Sequence, residues 1–363
     1  MYRFLRGLLM SAVLTVPAFA DQPVVNVYSW ADYIDPPLIG EFEKEFGIHV
    51  NYDTYESSEI VDSKLMAGGT GYDVIVHDAQ LVGRLLPIGI FQKLDFSKIP
   101  NAKNIDPAIS KMTEGYDPGN THNVPYMWGS VGYAYNVDMI KKRMPNAPIG
   151  SGDFIFKPEV LAKFADCGIS FLDSPVDVIP MALAYLGHDI NSVDPKDLKD
   201  VEKLLKGVRP YIKYFSSTKL IQDLPNREVC VAMSWSGDYA QAQKRGRDAH
   251  LNIHLAYAVP NTGAPLWVDV MVVPKDAPHK DNAYKFINFL MRPKVMARIS
   301  NYVYYANGNL ASKPYIKPEV VNDPSIYPPP NVMAVLKAKK VLTPKEERLR
   351  TRLWARFKTG MWK

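Results

Sequence analysis

The feature that most constrains the fold is an alternation of short apolar strands and amphipathic helices near the start of the chain. In the first amphipathic stretch, Leu38, Phe42 and Phe46 recur at helical spacing with charged residues between them. The pattern predicts a strand, a helix, a strand, a helix and a strand, in that order, at residues 24–28, 36–46, 48–52, 59–66 and 73–76. Repetition of this unit is typical of an α/β fold whose sheet is largely parallel.

The first twenty residues have the pattern of a secretory signal peptide. Two arginines precede an apolar run at residues 8–16, and residues 17–20 read Pro-Ala-Phe-Ala. We expect cleavage after Ala20. Since Asp21 follows rather than a cysteine, we expect no lipid anchor. No later stretch approaches the roughly twenty apolar residues that a membrane span needs. The sequence therefore predicts a free periplasmic protein that is not inserted in a membrane.

The length of the chain favours two lobes, because about 340 mature residues exceed what one hydrophobic core usually organises. Small ligands commonly bind in the cleft between such lobes. Without the two arginines of the leader the formal charge falls from +5 to +3, which is too weak to indicate nucleic-acid binding. We expect a monomer with a signal peptide, an N-terminal lobe and a C-terminal lobe at residues 1–20, 21–131 plus 253–307, and 132–252 plus 308–363, respectively.

Signatures of enzymes and metal sites are missing from the sequence. It contains no Gly-x-Ser-x-Gly elbow, no His-Glu-x-x-His and no phosphate loop, since the glycines at 68–71 lack the lysine that such a loop requires. The seven histidines and two cysteines do not have zinc-site spacing. We therefore expect a non-enzymatic protein with no catalytic residues, no metal and no cofactor.

Cys167 and Cys230 are the only two cysteines. In the oxidising compartment that a signal peptide implies, such a pair tends to form a disulfide. Two buried free thiols are the alternative.

Aromatic residues recur beside carboxylates where strands are predicted to end. An alkyl ammonium ion needs carboxylates to replace lost water, and aromatic faces attract the cation. Any single pair could equally be a core aromatic beside a turn. Three pairs together favour a site for a cationic amphiphile, and they are Trp30 with Asp32 and Tyr33, Trp235 with Asp238, and Trp267 with Asp269.

Six motifs resemble the periplasmic putrescine-binding proteins of polyamine ABC transporters, and their order and spacing are kept through nearly the whole mature chain. They are Tyr-Ser-Trp-Ala-Asp-Tyr-Ile at 28–34, Lys-Leu-Met-Ala-Gly at 64–68, Thr-Gly-Tyr-Asp at 70–73, Pro-Tyr-Met-Trp at 125–128, Ser-Trp-Ser-Gly-Asp at 234–238 and Tyr-Tyr-Ala-Asn at 304–307.

The resemblance implies a two-lobed periplasmic binding protein fold of type II, the Venus flytrap, which closes on its ligand and delivers it to a membrane permease. It also implies a disulfide between Cys167 and Cys230. The ligand-binding residues that it implies are Trp30, Asp32, Tyr33, Asp78, Asp177, Trp235, Asp238, Trp267, Asp269 and Tyr305.

Several positions depart from the putrescine-binding pattern. Ala31 and Asp78 stand where that family has serines, Asp177 replaces a longer glutamate, and Trp267 is the choice of spermidine-preferring relatives. Lys339 aligns near the cleft rim, where it would oppose a polycation unless it points to solvent or pairs with Asp78. We expect putrescine as first ligand, with spermidine, cadaverine or agmatine as alternatives. A sensor that presents its closed form to a membrane receptor is a further alternative.

A diamine has two charged ends, so we expect the acidic residues to bind its ammonium groups in two sets. Asp238 and Asp269 would hold one ammonium, and Asp32 with Asp177 or Asp78 would engage the other.

Overall fold

Residues 22–362 are described by the computed structural model, and the predicted signal peptide and its cleavage site lie outside them. The strands of this part of the chain are β1 Val24–Trp30, β2 His49–Tyr55, β3 Val74–Asp78, β4 Asn123–Asn136, β5 Ile169–Phe171, β6 Tyr214–Phe215, β7 Val231–Trp235, β8 Leu255–Ala258, β9 Ala264–Val272, β10 Ala306–Asn307 and β11 Leu336–Ala338.

The α-helices are α1 Pro37–Phe46, α2 Ser58–Ala67, α3 Ala79–Leu85, α4 Pro107–Thr113, α5 Val137–Arg143, α6 Asp153–Phe156, α7 Pro158–Leu161, α8 Pro175–Tyr185, α9 Pro195–Val208, α10 Leu220–Asp223, α11 Ser236–Asp248, α12 Lys280–Leu290, α13 Pro293–Val303, α14 Pro318–Val321, α15 Pro330–Met333 and α16 Pro344–Thr359. Within these described residues, no helix combines the length and the apolar character that a bilayer span requires.

The first sheet has the strand order β2-β1-β3-β9-β4. Strands β1, β2 and β3 run parallel, as the alternation of strands and helices predicts, and β9 joins them in the antiparallel direction. Helix α1 covers this sheet because Leu38 and Phe42 are fully buried, with Phe42 packed edge-on against Phe286 and Phe289 of α12. The helical spacing of the sequence thus places an apolar stripe on the sheet.

Strand β4 connects the two lobes. Its residues 123–130 pair with β9 in the first sheet, and residues 131–136 pair with β7 and β8 in the second. The second sheet continues from β7 to β5 and β6, which are parallel to each other and to β7. All fourteen residues of β4 are buried, so one shared strand ties both lobes together. The α/β two-lobed fold is therefore confirmed.

The later crossings differ from the predicted boundaries. Strand β8 still pairs with the second half of β4, so the chain returns to the first sheet between Ala258 and Ala264 rather than at 253. Strand β10 pairs with the first half of β4, in keeping with the assignment of 253–307 to the N-terminal lobe, but β11 pairs with β9 of the first sheet although 308–363 was assigned to the C-terminal lobe. Helix α16, which packs on α8 and α9, is the element that rejoins the second lobe.

Cys167 and Cys230 form a disulfide, as predicted. Cys167 lies two residues before β5 and Cys230 one residue before β7, where Ile169 pairs with Val231, so the bridge joins two neighbouring strands at their amino ends. The carboxyl ends of the same two strands lead into α8 and α11, which supply acidic residues to the cleft described below. The disulfide therefore braces the base of that part of the second lobe.

Replacing both cysteines with alanine should lower the free energy of unfolding by about 2 to 5 kcal/mol, because the bridge closes a long loop in the unfolded chain. The sequence separation of the two residues is 63. Urea unfolding of the mature protein and the double variant measures the difference. Wild type treated with a reductant is the control and should match the variant. Equal stability of the oxidised wild type and the variant would contradict a stabilising role.

Candidate functional site

A cleft of about 1050 Å³ lies between the two lobes. It is lined by all ten residues that the sequence predicts for ligand binding: Trp30, Asp32, Tyr33, Asp78, Asp177, Trp235, Asp238, Trp267, Asp269 and Tyr305.

The first lobe contributes side chains from the carboxyl ends of two parallel strands. Trp30 is the last residue of β1 and Asp78 the last of β3, so both reach the same edge of the sheet. In α/β sheets this edge is where ligands usually bind. The turn after β1 carries Asp32, in the left-handed region at φ 53°, and then Tyr33. Tyr55 packs against Trp30 with ring centroids 4.4 Å apart and helps to fix its orientation.

Trp267 and Asp269 lie within β9, which corrects the prediction that they stand at a strand end. Because side chains alternate across a strand, these two residues, two positions apart, share one face. Asp269 is the register partner of Asp78 on β3, which brings two carboxylates side by side. The Trp267 ring also passes so close to Gly129 that a larger residue there would collide with it.

The second lobe presents its acidic residues at helix starts. Trp235 ends β7, and Asp238 follows in the first turn of α11. Asp177 occupies the equivalent turn of α8, after β5. The indole N–H of Trp235 donates to Asp177 Oδ2 at 3.1 Å, so the two strand ends are joined directly.

Two tyrosines orient two of the buried carboxylates in the cleft. The Tyr33 hydroxyl donates to Asp269 Oδ2 at 2.8 Å, and the Tyr305 hydroxyl donates to Asp238 Oδ1 at 2.6 Å. The two tyrosine rings meet edge-on, with centroids 5.8 Å apart. Tyr305 can reach across the cleft only because Gly237 has no side chain, since a Cβ there would overlap its ring. The glycine of the Ser-Trp-Ser-Gly-Asp motif is thus explained by a close approach.

Asp238 and Asp269 are buried carboxylates without a cationic partner. Their exposed fractions are 8% and 5%, and no Lys, Arg or His between residues 22 and 362 forms an ion pair with either. Burial, with added repulsion from Asp32, raises the pKa of Asp238 to about 7. Burial and the neighbouring charge of Asp78 raise the pKa of Asp269 to about 8. Buried, unpaired carboxylates of this kind are costly and often mark functional sites.

Lys339 does not lie at the cleft rim. It follows β11 and is buried, with 5% of its surface exposed. Its Nζ lies 3.3 Å from Asp78 Oδ2, which is the pairing that the sequence offered as one alternative, and 3.3 Å from Asp177 Oδ1, which the sequence did not anticipate. This ammonium therefore bridges a carboxylate of the first lobe and one of the second.

Other contacts between the lobes had no signal in the sequence. Arg84 of α3 donates to Glu347 of α16 at 2.6 Å and also pairs with Asp62 of α2. The Gln241 side chain of α11 donates to the Val303 carbonyl at 3.2 Å. The two pairs that join the lobes are 263 and 62 residues apart in sequence, so only the folded chain reveals them. In the described part of the chain, no group of three or more His, Cys, Asp or Glu side chains is arranged to hold a metal.

Comparison with known proteins agrees with this geometry. A sequence profile of the bacterial extracellular solute-binding proteins matches residues 38–328. The putrescine-binding periplasmic protein of Escherichia coli K12 is 44% identical over 99% of this chain and 98% of its own length. A putrescine/agmatine-binding protein of Pseudomonas aeruginosa is 42% identical over 94% of each chain.

Among solved structures, a spermidine/putrescine ABC transporter substrate-binding protein of Streptococcus pneumoniae superimposes with a TM-score of 0.77. It is 30% identical, and the match covers 93% of this chain and 99% of that one. The sequence resemblance to periplasmic solute-binding proteins is thereby confirmed. The sequence profile, the full-length relatives and the shared two-lobed architecture agree. The chain therefore belongs to the family of bacterial extracellular solute-binding proteins.

Proposed function

We propose that this protein captures a polyamine, putrescine first, in its interlobe cleft and delivers it to the permease of an ABC transporter. The observation that carries the proposal is the pair of buried carboxylates, Asp238 and Asp269, which lack a cation and stand beside aromatic rings. Relatives that span the whole chain are named for binding putrescine, agmatine or spermidine, which supports the same ligand class.

An alkyl diammonium ion complements the cleft at both of its ends. One ammonium is held by Asp238, with Asp32 close enough to affect its charge state, and the other by Asp269. This division differs from the sequence-based expectation, which assigned Asp238 and Asp269 to the same ammonium. Charge-assisted hydrogen bonds replace the water that each ammonium loses. The rings of Trp267 and Tyr305, with centroids 5.1 Å apart, supply an apolar wall and favourable cation–π contacts.

The carrier role places the protein in the periplasm, after removal of residues 1–20, as a monomer that changes no bond in its ligand. Closing the two lobes around the amine removes water and strengthens each ammonium–carboxylate contact. The closed shape is then what the permease recognises. The contacts from Arg84 to Glu347 and from Gln241 to Val303 stabilise this closed arrangement.

A thermal-shift panel on ligand-free mature protein tests the proposal. Bound ligand should be removed by unfolding and refolding before putrescine, cadaverine, agmatine and spermidine are added. At about a hundredfold over the dissociation constant, the true ligand should stabilise the protein by roughly 2.7 kcal/mol. Succinate and 1,4-butanediol are controls, because they match the chain length of putrescine with opposite or no charge. Stabilisation by these controls alone, or by no amine, would contradict a polyamine carrier.

A further inference from the structure

The environment of Lys339 resembles a binding site for an ammonium ion. Its Nζ is shared between Asp78 Oδ2 and Asp177 Oδ1, at 3.3 Å from each. Lys339, Asp78 and Asp177 are 5%, 9% and 3% exposed, and all three line the cleft. The cleft would hold the ammonium of a ligand between buried carboxylates in the same way, but here the side chain of Lys339 supplies the cation.

The remaining oxygens of this pair of carboxylates are also engaged. Asp78 Oδ1 caps α3 by accepting the backbone N–H groups of Gln80 at 2.8 Å and Leu81 at 3.4 Å. Asp177 Oδ2 accepts the Ser174 hydroxyl at 2.8 Å and the Trp235 indole N–H. All four oxygens of Asp78 and Asp177 therefore already accept at least one hydrogen bond from the protein.

Charge keeps Lys339 in this place. Burial alone would lower the pKa of its amine, but the charges of Asp177 and Asp78 outweigh burial and raise that pKa above its ordinary value. The amine is therefore a permanent cation at neutral pH. Asp78 belongs to the first lobe and Asp177 to the second, so Lys339 contacts both carboxylates when the two lobes are together.

The five aspartates that the sequence predicts for ligand binding thus form three neighbourhoods. Asp238 lies within electrostatic reach of Asp32, Asp269 accepts the hydroxyl of Tyr33, and Asp78 with Asp177 holds Lys339. Because Asp78 and Asp269 are register partners on adjacent strands, the second and third neighbourhoods are immediate neighbours. If a ligand reached past Asp269 towards Asp78, its next ammonium would meet the ammonium of Lys339.

We propose that Lys339 is a specificity-determining residue that fills the third ammonium position and restricts the cleft to diamines over triamines. The proposal rests on the polyamine-carrier function above and names the ligand class of the same site. Two ammonium positions remain for the ligand, at Asp238 and at Asp269. Spermidine has one more ammonium than these positions hold, and Lys339 already occupies the place between Asp78 and Asp177 where that group would find carboxylates.

The test is to remove the charge of Lys339 and measure the preference between ligands. Lys339→Met keeps an unbranched side chain without the charged amine and frees Asp78 and Asp177 for a ligand ammonium. Isothermal titration of putrescine and spermidine gives the ratio of the two dissociation constants for each protein. We expect the spermidine-to-putrescine ratio to exceed one in the wild type and to fall at least tenfold in Lys339→Met. An unchanged ratio would overturn the proposal.

Lys340→Met is the matched control, because the neighbouring side chain is 71% exposed and lies 3.9 Å from Asp189, outside the cleft. It should keep the wild-type ratio. If Lys339→Met does not fold because it leaves two buried carboxylates unpaired, the charge-balanced Asp78→Asn/Lys339→Met variant decides the question, with the same expected fall.

The outcomes separate the two proposals. If neither amine binds to the wild type, the polyamine-carrier function itself fails. If putrescine binds to the wild type but removing the lysine leaves the ratio unchanged, only the role of Lys339 fails. A wild type that binds spermidine more tightly than putrescine also contradicts that role while leaving the carrier function intact.

Discussion

The affinity for putrescine is expected to rise at least a hundredfold between pH 6 and pH 8.5. Buried Asp238 and Asp269 have pKa values of about 7 and about 8 in the ligand-free cleft, so both are largely protonated at pH 6. Each must lose its proton to hold an ammonium. Alkyl ammonium groups, with pKa values near ~10.4 as in lysine, stay charged throughout this range. Below its pKa, each carboxyl therefore lowers the affinity by about tenfold for every pH unit.

The stability of the ligand-free protein should change in the opposite direction. Both carboxyls have folded-state pKa values above the ordinary value of 3.8, so the unfolded chain releases these protons first. Their contribution to stability is fully present below about pH 4 and is lost as the pH rises through about 7 and 8.

Titration calorimetry at several pH values, in buffers of different ionisation enthalpy, measures both the affinity and the protons released on binding. The proposal predicts proton release that is largest near pH 6 and small at pH 8.5. An affinity that is flat from pH 6 to 8.5, with no proton release, would show that these carboxyls do not hold the ammonium groups.

The sequence predicts the architecture well where local pattern determines it. The helix at 37–46 and the strand at 24–30 lie where periodicity places them, because each buries a continuous apolar stripe or run. The pairing of β8 and β11 was missed for a different reason. These strands have four and three residues, and their partners are chosen by hydrogen bonds to distant segments of β4 and β9. Short strands carry too little pattern to specify such a partner.

The site shows the same division between local and distant information. Trp30 and Trp235 were recognisable because each ends a strand and precedes an aspartate, and strand ends meet at the cleft in this fold. The pairing of Lys339 with Asp78, 261 residues away, was one of the alternatives, but the pairing with Asp177, 162 residues away, was not recognisable from the sequence. From the sequence, Lys339 would oppose a polycation unless it pointed to solvent or paired with Asp78. In the folded chain it pairs with both Asp78 and Asp177, and it thereby occupies a place where a ligand ammonium would otherwise be held.

Asp269→Asn should weaken putrescine binding about thirtyfold or more at pH 8.5, because truncating one partner of a buried charge pair costs about 2 to 5 kcal/mol. Asparagine keeps the shape and can still accept the Tyr33 hydroxyl bond. Asp281→Asn is the control, since that carboxylate lies in the same lobe on α12, is 77% exposed and pairs with Lys98. It should bind as the wild type does.

The loss of putrescine affinity caused by Asp269→Asn should nearly disappear at pH 6. This pH dependence makes the test specific for the charge of Asp269. Asp269, with a pKa of about 8, is already neutral at that pH in the ligand-free protein, so asparagine removes little that the wild type still has. The ligand-free variant should also be at least as stable as the wild type at pH 8.5, because a buried charge has been removed. Calorimetry at both pH values, together with urea unfolding, distinguishes the loss of an ammonium–carboxylate contact from a disturbed fold of the cleft. An equal loss of affinity at pH 6 and pH 8.5, or a destabilised variant, would indicate that Asp269 supports the fold of the cleft rather than the charge of the ligand.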